Sequence, residues 1–396
     1  MSVFFEQLRA QQEYLTGLRR AFHQHPELAL HEFWTAEAIE RELDLYGIPH
    51  RRVGATGVLG TLTGDLGGDR VIALRADIDG LPVQETNDVP YRSQIDGVMH
   101  ACGHDSHITC LLGAAKTLKS ARGAFGGTVK LIFQPGEEVG LGALDFVEAG
   151  VLDDAGRTFG LHAASDLLTG SVAAVPGLNC AAVDHFGITV HGKGAHVSRP
   201  QLGADALYVA ASLVTQIQAI VTRRTNPVEP VVIGVGKLHA GTTYNALAET
   251  AELEGTTRTV TPESRILVRQ QITHLAEQTA EAFGATVEVQ WREFTPAVVN
   301  PPAITEEVAE IARRIDDNIQ VITQRPISLG GDNFADLALR VPGVYAFLGT
   351  GHPAVANTQN SHHNGNFDLD EAALPIGAAL YADYAFWWLT AGAAAL

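Results

Sequence analysis

"RVIALRADIDG" (residues 70–80) is a run of apolar and β-branched residues that ends in two carboxylates, Asp77 and Asp79. Two later stretches have the same form, "GTVKLIFQPGEE" (127–138) and "RTFGLHAAS" (157–165). Such runs are typical of strands buried on both faces, and helical stretches such as 105–121 alternate with them, which predicts an α/β fold. Because the site of an open α/β sheet lies beyond the carboxyl ends of its strands, we expect these polar residues to share one crevice.

The pattern of the sequence changes after about residue 182. Four strand-like stretches follow, together with helical patterns at 204–224 and 262–284, and the first pattern returns from about residue 296. Two helices with four strands predict a small inserted α/β sandwich. The expected organisation is a discontinuous domain interrupted by a smaller one, with residues 1–182 and 296–396 in the first and 183–295 in the second.

Length and composition limit the class of protein. A chain of 396 residues is too long for one ordinary core, which supports two domains. The formal net charge is -18 and no run rich in Lys and Arg is present, so a nucleic-acid partner is not expected. Three cysteines imply no disulfide framework, which is typical of a cytoplasmic protein.

The end of the chain, "ALPIGAALYADYAFWWLTAGAAAL" (373–396), is long enough to cross a bilayer. However, Asp383 lies in its middle, Pro375 and Gly377 interrupt its start, and no basic flank follows. We therefore expect a buried C-terminal helix and no membrane partner. The N-terminus also lacks an apolar segment of signal-peptide length.

The stretch "MHACGHDSH" (99–107) concentrates groups that exchange protons and bind metals. One interpretation is a structural cluster at the start of a helix. A second is a thiol nucleophile, Cys102 with His104 or His107 as base, oriented by Asp105. A third is a metal site, since thiolate and imidazole are ligands of zinc and similar ions.

The other polar clusters favour the metal interpretation. Glu137 and Glu138 are adjacent carboxylates, so one can bind a metal ion while the other faces a water molecule. His162 and the pair His362 and His363 add imidazoles, and the carboxylates of "ADID" are suited to orienting a ligand histidine from behind the metals. Together these residues are enough for two metal ions, whereas a cysteine hydrolase needs no glutamate pair.

Seven stretches resemble peptidase family M20, and in particular its amidohydrolase branch of hippurate hydrolases, N-acyl-amino-acid deacylases and auxin-conjugate hydrolases. They are "RRAFHQHPEL", "LRADIDGLPV", "MHACGHDSH", "FQPGEE", "GLH", "GKGAHVSRP" and "FDLDE", and they follow the family's order across nearly the whole chain. The resemblance implies a catalytic domain with two metal ions, built on a mixed sheet flanked by helices. It also implies that the inserted domain is a lid and dimerisation domain, so a homodimer is expected.

The resemblance also implies a role for individual residues. The metal ligands would be Cys102, His104, Glu138, His162 and His363, with His362 as the neighbouring alternative for the last position. Glu137 would be the general base, Asp79 a supporting carboxylate, and His196, Asn245 and Arg258 would contact the substrate from the lid. The expected cofactors are two divalent ions per subunit (Zn, Mn, Co or Ni), and the expected substrate is a small N-acyl amino acid or peptide-like conjugate.

The sequence departs from the family pattern around the site. The usual Glu-Asp-Phe is Asp332, Asn333 and Phe334, the Gly-rich run after the glutamates is "VGLGA", and Gly365-Asn366 replaces Pro-Arg. These changes leave the acyl group and the amino acid of the substrate open. The alternative function is a catalytically inactive relative that binds metal or peptide, but such a protein would not need Glu137 beside a ligand.

Overall fold

The computed structural model of the chain describes residues 2–390, which form fourteen strands and ten α-helices. The strands are β1 (His50–Val53), β2 (Gly57–Thr63), β3 (Val71–Asp77), β4 (Thr128–Gln134), β5 (Arg157–Leu168), β6 (Ser171–Ala173), β7 (Gly177–Cys180), β8 (Ala182–His191), β9 (Val231–Ala240), β10 (Thr250–Thr259), β11 (Thr286–Thr295), β12 (Val298–Asn300), β13 (Gln320–Ile322) and β14 (Gly343–Gly351). The helices are α1 (Phe5–Arg9), α2 (Gln12–Gln24), α3 (Phe33–Tyr46), α4 (His104–Ser120), α5 (Ala143–Glu148), α6 (Ala206–Arg223), α7 (Pro262–Ala282), α8 (Pro302–Ile315), α9 (Phe334–Ala338) and α10 (Leu374–Thr390).

The chain divides into two compact units. The large unit consists of residues 1–179, 299–326 and 333–396, and the small unit of residues 180–298 and 327–332. The small unit was expected at 183–295, so it extends three residues further at each end. It also includes residues 327–332, which the sequence analysis had placed in the large unit. This segment belongs to the small unit because it pairs with the start of that unit: Ser328 forms a bridge with Cys180, and Gly330 accepts a hydrogen bond from Ala181.

The large unit contains an eight-stranded mixed sheet in the order β1-β2-β4-β3-β5-β14-β6-β13. β3 is parallel to both of its neighbours, β4 and β5, and is buried along its whole length. Helices cover both faces, because Phe159 packs its ring against Tyr381 of α10 while the adjacent Gly160 faces Phe334 of α9. The predicted α/β class with a mixed sheet flanked by helices is confirmed.

The C-terminal helix α10 is part of the core of the large unit. Every residue from Leu374 to Ala385 is buried, and Tyr381 donates a hydrogen bond to the main-chain oxygen of Arg75 at 2.6 Å. Asp383 accepts hydrogen bonds from the Ser2 hydroxyl and from the Val3 amide. No helix within residues 2–390 has the length and apolar character to span a bilayer. The predicted buried helix is observed up to Thr390, and residues 391–396 lie outside the described part.

The small unit is an antiparallel sheet, β11-β8-β10-β9, with α6 and α7 packed on one face. Side chains alternate along the central strands, so that Phe186, Ile188 and Val190 of β8 are buried in the core. The same core contains Leu213 of α6 and Val268 of α7. This layered arrangement of four strands and two helices follows from the period-two alternation of the strands.

Candidate metal centre

Three adjacent parallel strands place polar residues at one edge of the large sheet. β4, β3 and β5 lie side by side, and Asp77 at the end of β3 is paired with Gln134 at the end of β4. Asp79 follows β3, and the turn with the tandem glutamates follows β4. His162 does not end its strand, because β5 continues alongside β14 as far as Leu168.

Cys102, His104 and Glu138 form a compact group of metal-binding atoms. One ligand atom from each residue lies within 4.8 Å of the others, and His104 Nε2 is 3.9 Å from Glu138 Oε1. These two atoms are buried, and neither has a hydrogen-bond partner among the described residues. His104 Nδ1 donates to the main-chain oxygen of Asp79 at 2.8 Å, which directs Nε2 toward the group. Buried nitrogen, oxygen and sulfur atoms of this kind fit a divalent cation.

His162 adjoins the same group. Its Nδ1 donates to the main-chain oxygen of Ala163 at 2.7 Å, and its Nε2 lies 3.5 Å from Cys102 Sγ. Burial, and then the neighbouring His107, holds the pKa of His162 well below its usual value, so the ring is neutral and Nε2 has a lone pair. Burial and the Glu138 carboxylate raise the pKa of the Cys102 thiol, so a nearby cation is needed to form the thiolate.

His362 and His363 approach different parts of this group. His363 Nε2 lies 3.4 Å from Glu138 Oε1, and the residue has a left-handed backbone with φ of 63°. The His363 amide donates to the main-chain oxygen of Ala101 at 2.9 Å, which ties the loop to the residue before Cys102. The ring of the half-buried His362 lies 5.2 Å from the ring of His162, and partial burial lowers the pKa of His362 to about 4. Both imidazoles are therefore within the candidate centre.

Asp79 contacts both segments that carry the glutamate and histidine ligands. Its side chain accepts the Glu138 amide at 3.0 Å, in addition to the contact of its main-chain oxygen with His104. Glu137 is the first residue of the same turn and is only 6% exposed. The sequence-predicted base and its supporting carboxylate are thus at the edge of the sheet where the ligand group lies.

A second buried network lies behind the ligands, and Asp77 is the one member that the sequence analysis expected there. His107 Nδ1 donates to Asp77, and His107 Nε2 accepts the Ala163 amide at 2.8 Å, so both ring nitrogens are occupied. Asp77 also accepts from Arg75 at 2.9 Å. Asn333 Oδ1 accepts from Arg75 at 3.2 Å, and Asn333 Nδ2 donates to the main-chain oxygen of Leu141. An ionised aspartate at position 333 could not donate to the Leu141 oxygen, because a carboxylate has no N–H group. The asparagine that stands here in place of the family's usual aspartate therefore suits the loop that carries Leu141.

Asp105 does not orient a catalytic histidine, as the thiol-nucleophile interpretation required. Its carboxylate accepts from Arg19 Nε at 2.8 Å and from His23 Nδ1 at 2.7 Å. Arg19 is fully buried and also pairs with Asp368 at 3.0 Å and Glu371 at 3.4 Å. The helix that begins at His104 is therefore joined at its first turn to α2 and to the segment that follows His363. The only sign of this in the sequence is the stretch "RRAFHQHPEL", which contains Arg19 and His23.

His23 is expected to stabilise the fold more strongly at low pH than at high pH. Both ring nitrogens face carboxylates, with Asp105 on Nδ1 and Glu85 at 3.2 Å from Nε2, while Arg19 and the Tyr91 ring complete its surroundings. Burial and Arg19 lower the pKa of His23, but the two carboxylates raise it by more, so the net shift is upward. The stabilisation is full below the unfolded pKa of about 6.5 and is lost as pH rises through the folded pKa.

The urea midpoints of the wild type and His23→Gln should therefore differ most near pH 6 and converge toward pH 9. A difference that is constant or grows with pH would contradict the charged state of His23.

The small unit contains the three residues predicted to contact substrate. His196 and Asn245 line the same cavity of about 730 Å³. His196 is exposed and its Nδ1 accepts the Ser198 amide at 3.1 Å, so Nε2 is the ring nitrogen left to donate to a ligand. Arg258 lies on β10 outside that cavity, is partly buried, and has no carboxylate within ion-pair distance among the described residues. Each of the three therefore presents a polar group that is available to a ligand.

Comparisons with known proteins agree with these observations. The sequence profile of peptidase family M20/M25/M40 matches residues 73–386. N-acetyl-L-cysteine deacetylase of Bacillus subtilis is 39% identical over 91% of this chain and 84% of that protein, and IAA-amino acid hydrolase ILR1-like 5 of Arabidopsis thaliana is 34% identical over 95% and 87%. The crystal structure of the Bacillus subtilis YXEP protein, a dinuclear metal-binding peptidase of this family, is similar with a TM-score of 0.82 and 34% identity, over 96% of this chain and 99% of that one.

Proposed function

We propose, from the premise that this chain belongs to peptidase family M20, that it cleaves the amide bond of small N-acyl amino acids. The family and the class of enzyme, a metal-dependent hydrolase acting on amides, are confirmed. The observation that supports catalysis most directly is the buried Glu137 next to the group formed by Cys102, His104 and Glu138. A relative that only bound metal or peptide would have no use for a second carboxylate at this position.

Two divalent ions would be held in the proposed centre by Cys102, His104, Glu138, His162 and His363. Bound divalent ions lower the pKa of water and polarise a carbonyl oxygen. Glu137 accepts a proton from the water molecule that attacks the amide carbon, and later donates it to the leaving nitrogen. The products are a carboxylic acid and an amino acid, so one water molecule is consumed for each amide bond broken.

The small unit supplies the proposed contacts with substrate. His196 Nε2–H would donate to the oxygen that becomes negatively charged. Arg258 and Asn245 would bind the carboxylate of the amino acid. We also propose that the protein is a homodimer and that it acts in the cytoplasm. Sedimentation of the purified protein tests whether it is a dimer.

Chelation tests the proposed function. Metal-loaded protein should hydrolyse N-acetyl or N-benzoyl amino acids, N-acetylcysteine among them, lose this activity with a chelator, and regain it when Zn, Mn, Co or Ni is added. Activity that survives the chelator but is lost on thiol alkylation would support the Cys102 nucleophile instead. Inactivity of the fully metal-loaded protein on the whole panel would support the binding-protein alternative.

Replacing Cys102 by serine is expected to reduce the metal content of the purified protein below two ions per chain. An alkoxide forms at neutral pH much less readily than a thiolate, so serine would be a poor metal ligand at this position. Metal analysis after dialysis measures this, and Cys110→Ala is the control, because Cys110 is a buried free thiol on α4, eight residues after Cys102. A Cys102→Ser protein with two tightly held ions and full activity would contradict the assignment.

The last ligand is assigned to His363 because its Nε2 lies next to Glu138. His363→Asn should therefore lose metal, whereas His362→Asn should retain it. The opposite result in metal analysis of the two variants would transfer the role to His362.

A further inference from the structure

Glu32 is a fully buried carboxylate just ahead of α3, and no Lys, Arg or His lies within ion-pair distance of it among residues 2–390. Burying a carboxylate without a cation is costly, and such groups are rare in folded proteins. Burial raises the pKa of Glu32 above its usual range. Packing alone does not explain a glutamate at this position, because an apolar side chain of similar size would carry no such cost.

The Glu32 carboxylate accepts three hydrogen bonds from three separate segments. Oε1 accepts the amides of Leu30 at 2.8 Å and Gly136 at 2.9 Å, and Oε2 accepts the Thr56 hydroxyl at 2.6 Å. Gly136 is buried, 104 residues away in the chain, and immediately precedes Glu137. Without Glu32, the buried Gly136 amide would lose this partner.

The backbone at both amide donors is in the left-handed region. Leu30 has φ of 64° and Gly136 has φ of 62°. A Cβ atom on Gly136 would lie 2.7 Å from Leu30 Cδ2, so the two segments are in close contact. Left-handed backbone is unfavourable for leucine and persists only where its surroundings stabilise it. The hydrogen bonds that the Leu30 and Gly136 amides donate to one oxygen of Glu32 supply that stabilisation.

A second carboxylate contacts the other end of the same turn, since Asp79 accepts the Glu138 amide at 3.0 Å. Glu137 is thus flanked on both sides by residues whose amides are bound to buried carboxylates. We propose that Glu32 is a positioning residue, whose hydrogen bond to the Gly136 amide sets the location of the turn that carries Glu137 and Glu138. This proposal rests on the proposed role of Glu137 as the base.

The test compares Glu32→Ala with Glu27→Ala. Glu27 comes from the same segment and also accepts three hydrogen bonds, but from Trp34 and Thr35 at the start of α3 and not from the turn. Hydrogen exchange of the metal-free proteins is measured first, followed by kcat and KM of the metal-loaded proteins at equal metal content.

In Glu32→Ala, peptides that cover 134–142 should exchange at least about tenfold faster, because the Gly136 amide loses its acceptor. The kcat should fall about 10- to 100-fold with KM nearly unchanged, since small displacements of a catalytic group have effects of this size. In Glu27→Ala, exchange should increase only at the start of α3, and kcat should stay near that of the wild type.

Two further variants cover the case in which Glu32→Ala does not fold. In Glu32→Gln, the amide oxygen can still accept from Leu30 and Gly136 while its NH₂ group donates to Thr56, so kcat should be largely retained. In Glu32→Asp, the side chain keeps the carboxylate but is too short to reach the Gly136 amide. Exchange of the turn should therefore increase and kcat should fall, as in Glu32→Ala.

The proposal is overturned if exchange of the turn is unchanged in the alanine and aspartate variants, or if it increases without a loss of kcat. It is also overturned if Glu27→Ala lowers kcat to the same degree, because the effect would then be one of general stability. Failure of the proposed function has a different signature: Glu137→Gln would keep its activity, while the exchange result would still report on the contact between Glu32 and Gly136.

Discussion

Replacing Glu137 by glutamine is expected to lower kcat about 10²- to 10⁴-fold, which is the usual contribution of a positioned general base. Glutamine has nearly the same shape as glutamate but cannot accept a proton from water. The turn should keep its structure, because the amides of Gly136 and Glu138 hold it to Glu32 and Asp79. Metal analysis should therefore find the same metal content as in the wild type.

Glu138→Gln is the matched control for this prediction. Glu138 has an oxygen in the group with Cys102 and His104, so its replacement should lower metal content, and activity should return in part at high metal concentration. If Glu137→Gln lost metal while Glu138→Gln retained both metal and activity, the two glutamates would have the opposite roles.

Arg19→Met is expected to destabilise the large unit by about 3–5 kcal/mol, the usual cost of removing one partner from a buried ionic network. Arg19 is 0% exposed and faces Asp105, Asp368 and Glu371. Methionine fills much of the same volume but leaves these carboxylates without their shared cation. Urea or thermal unfolding followed by tryptophan fluorescence measures the loss.

Arg20→Met provides the comparison for Arg19. The adjacent Arg20 also pairs with Glu371, at 2.6 Å, but its side chain is 40% exposed. Exposed pairs contribute at most about 1 kcal/mol, so this variant should remain close to the wild type. Equal losses in the two variants would show that the buried network has no special role in stability.

Strand ends could be predicted from the sequence because their signals are local. The run at 70–80 is mainly apolar before Asp77, apart from Arg70 and Arg75, and the structure ends β3 at Asp77. The tandem glutamates likewise follow β4 directly. Once parallel neighbours were expected, the meeting of these residues at one edge followed from the geometry of α/β sheets.

The supporting contacts could not be predicted because they join distant parts of the chain. Arg19 meets Asp368 across 349 residues, and Glu32 meets Gly136 across 104. No pattern in the neighbourhood of Arg19 or Glu32 indicates which residue lies opposite. The extension of β5 beyond His162 was missed for the same reason, since it depends on pairing with β14, which is distant in the chain.

The place of β14 in the sheet affects how the protein can be synthesised. β14 lies between β5 and β6, although it is the last strand to leave the ribosome. At about 5–20 residues per second, the nascent chain spends about 9–35 s with β5 complete and its partner not yet made. During that time one edge of β5 is open to pairing with other chains, so expression at low temperature or with a chaperone that shields strand edges should increase the yield of native protein.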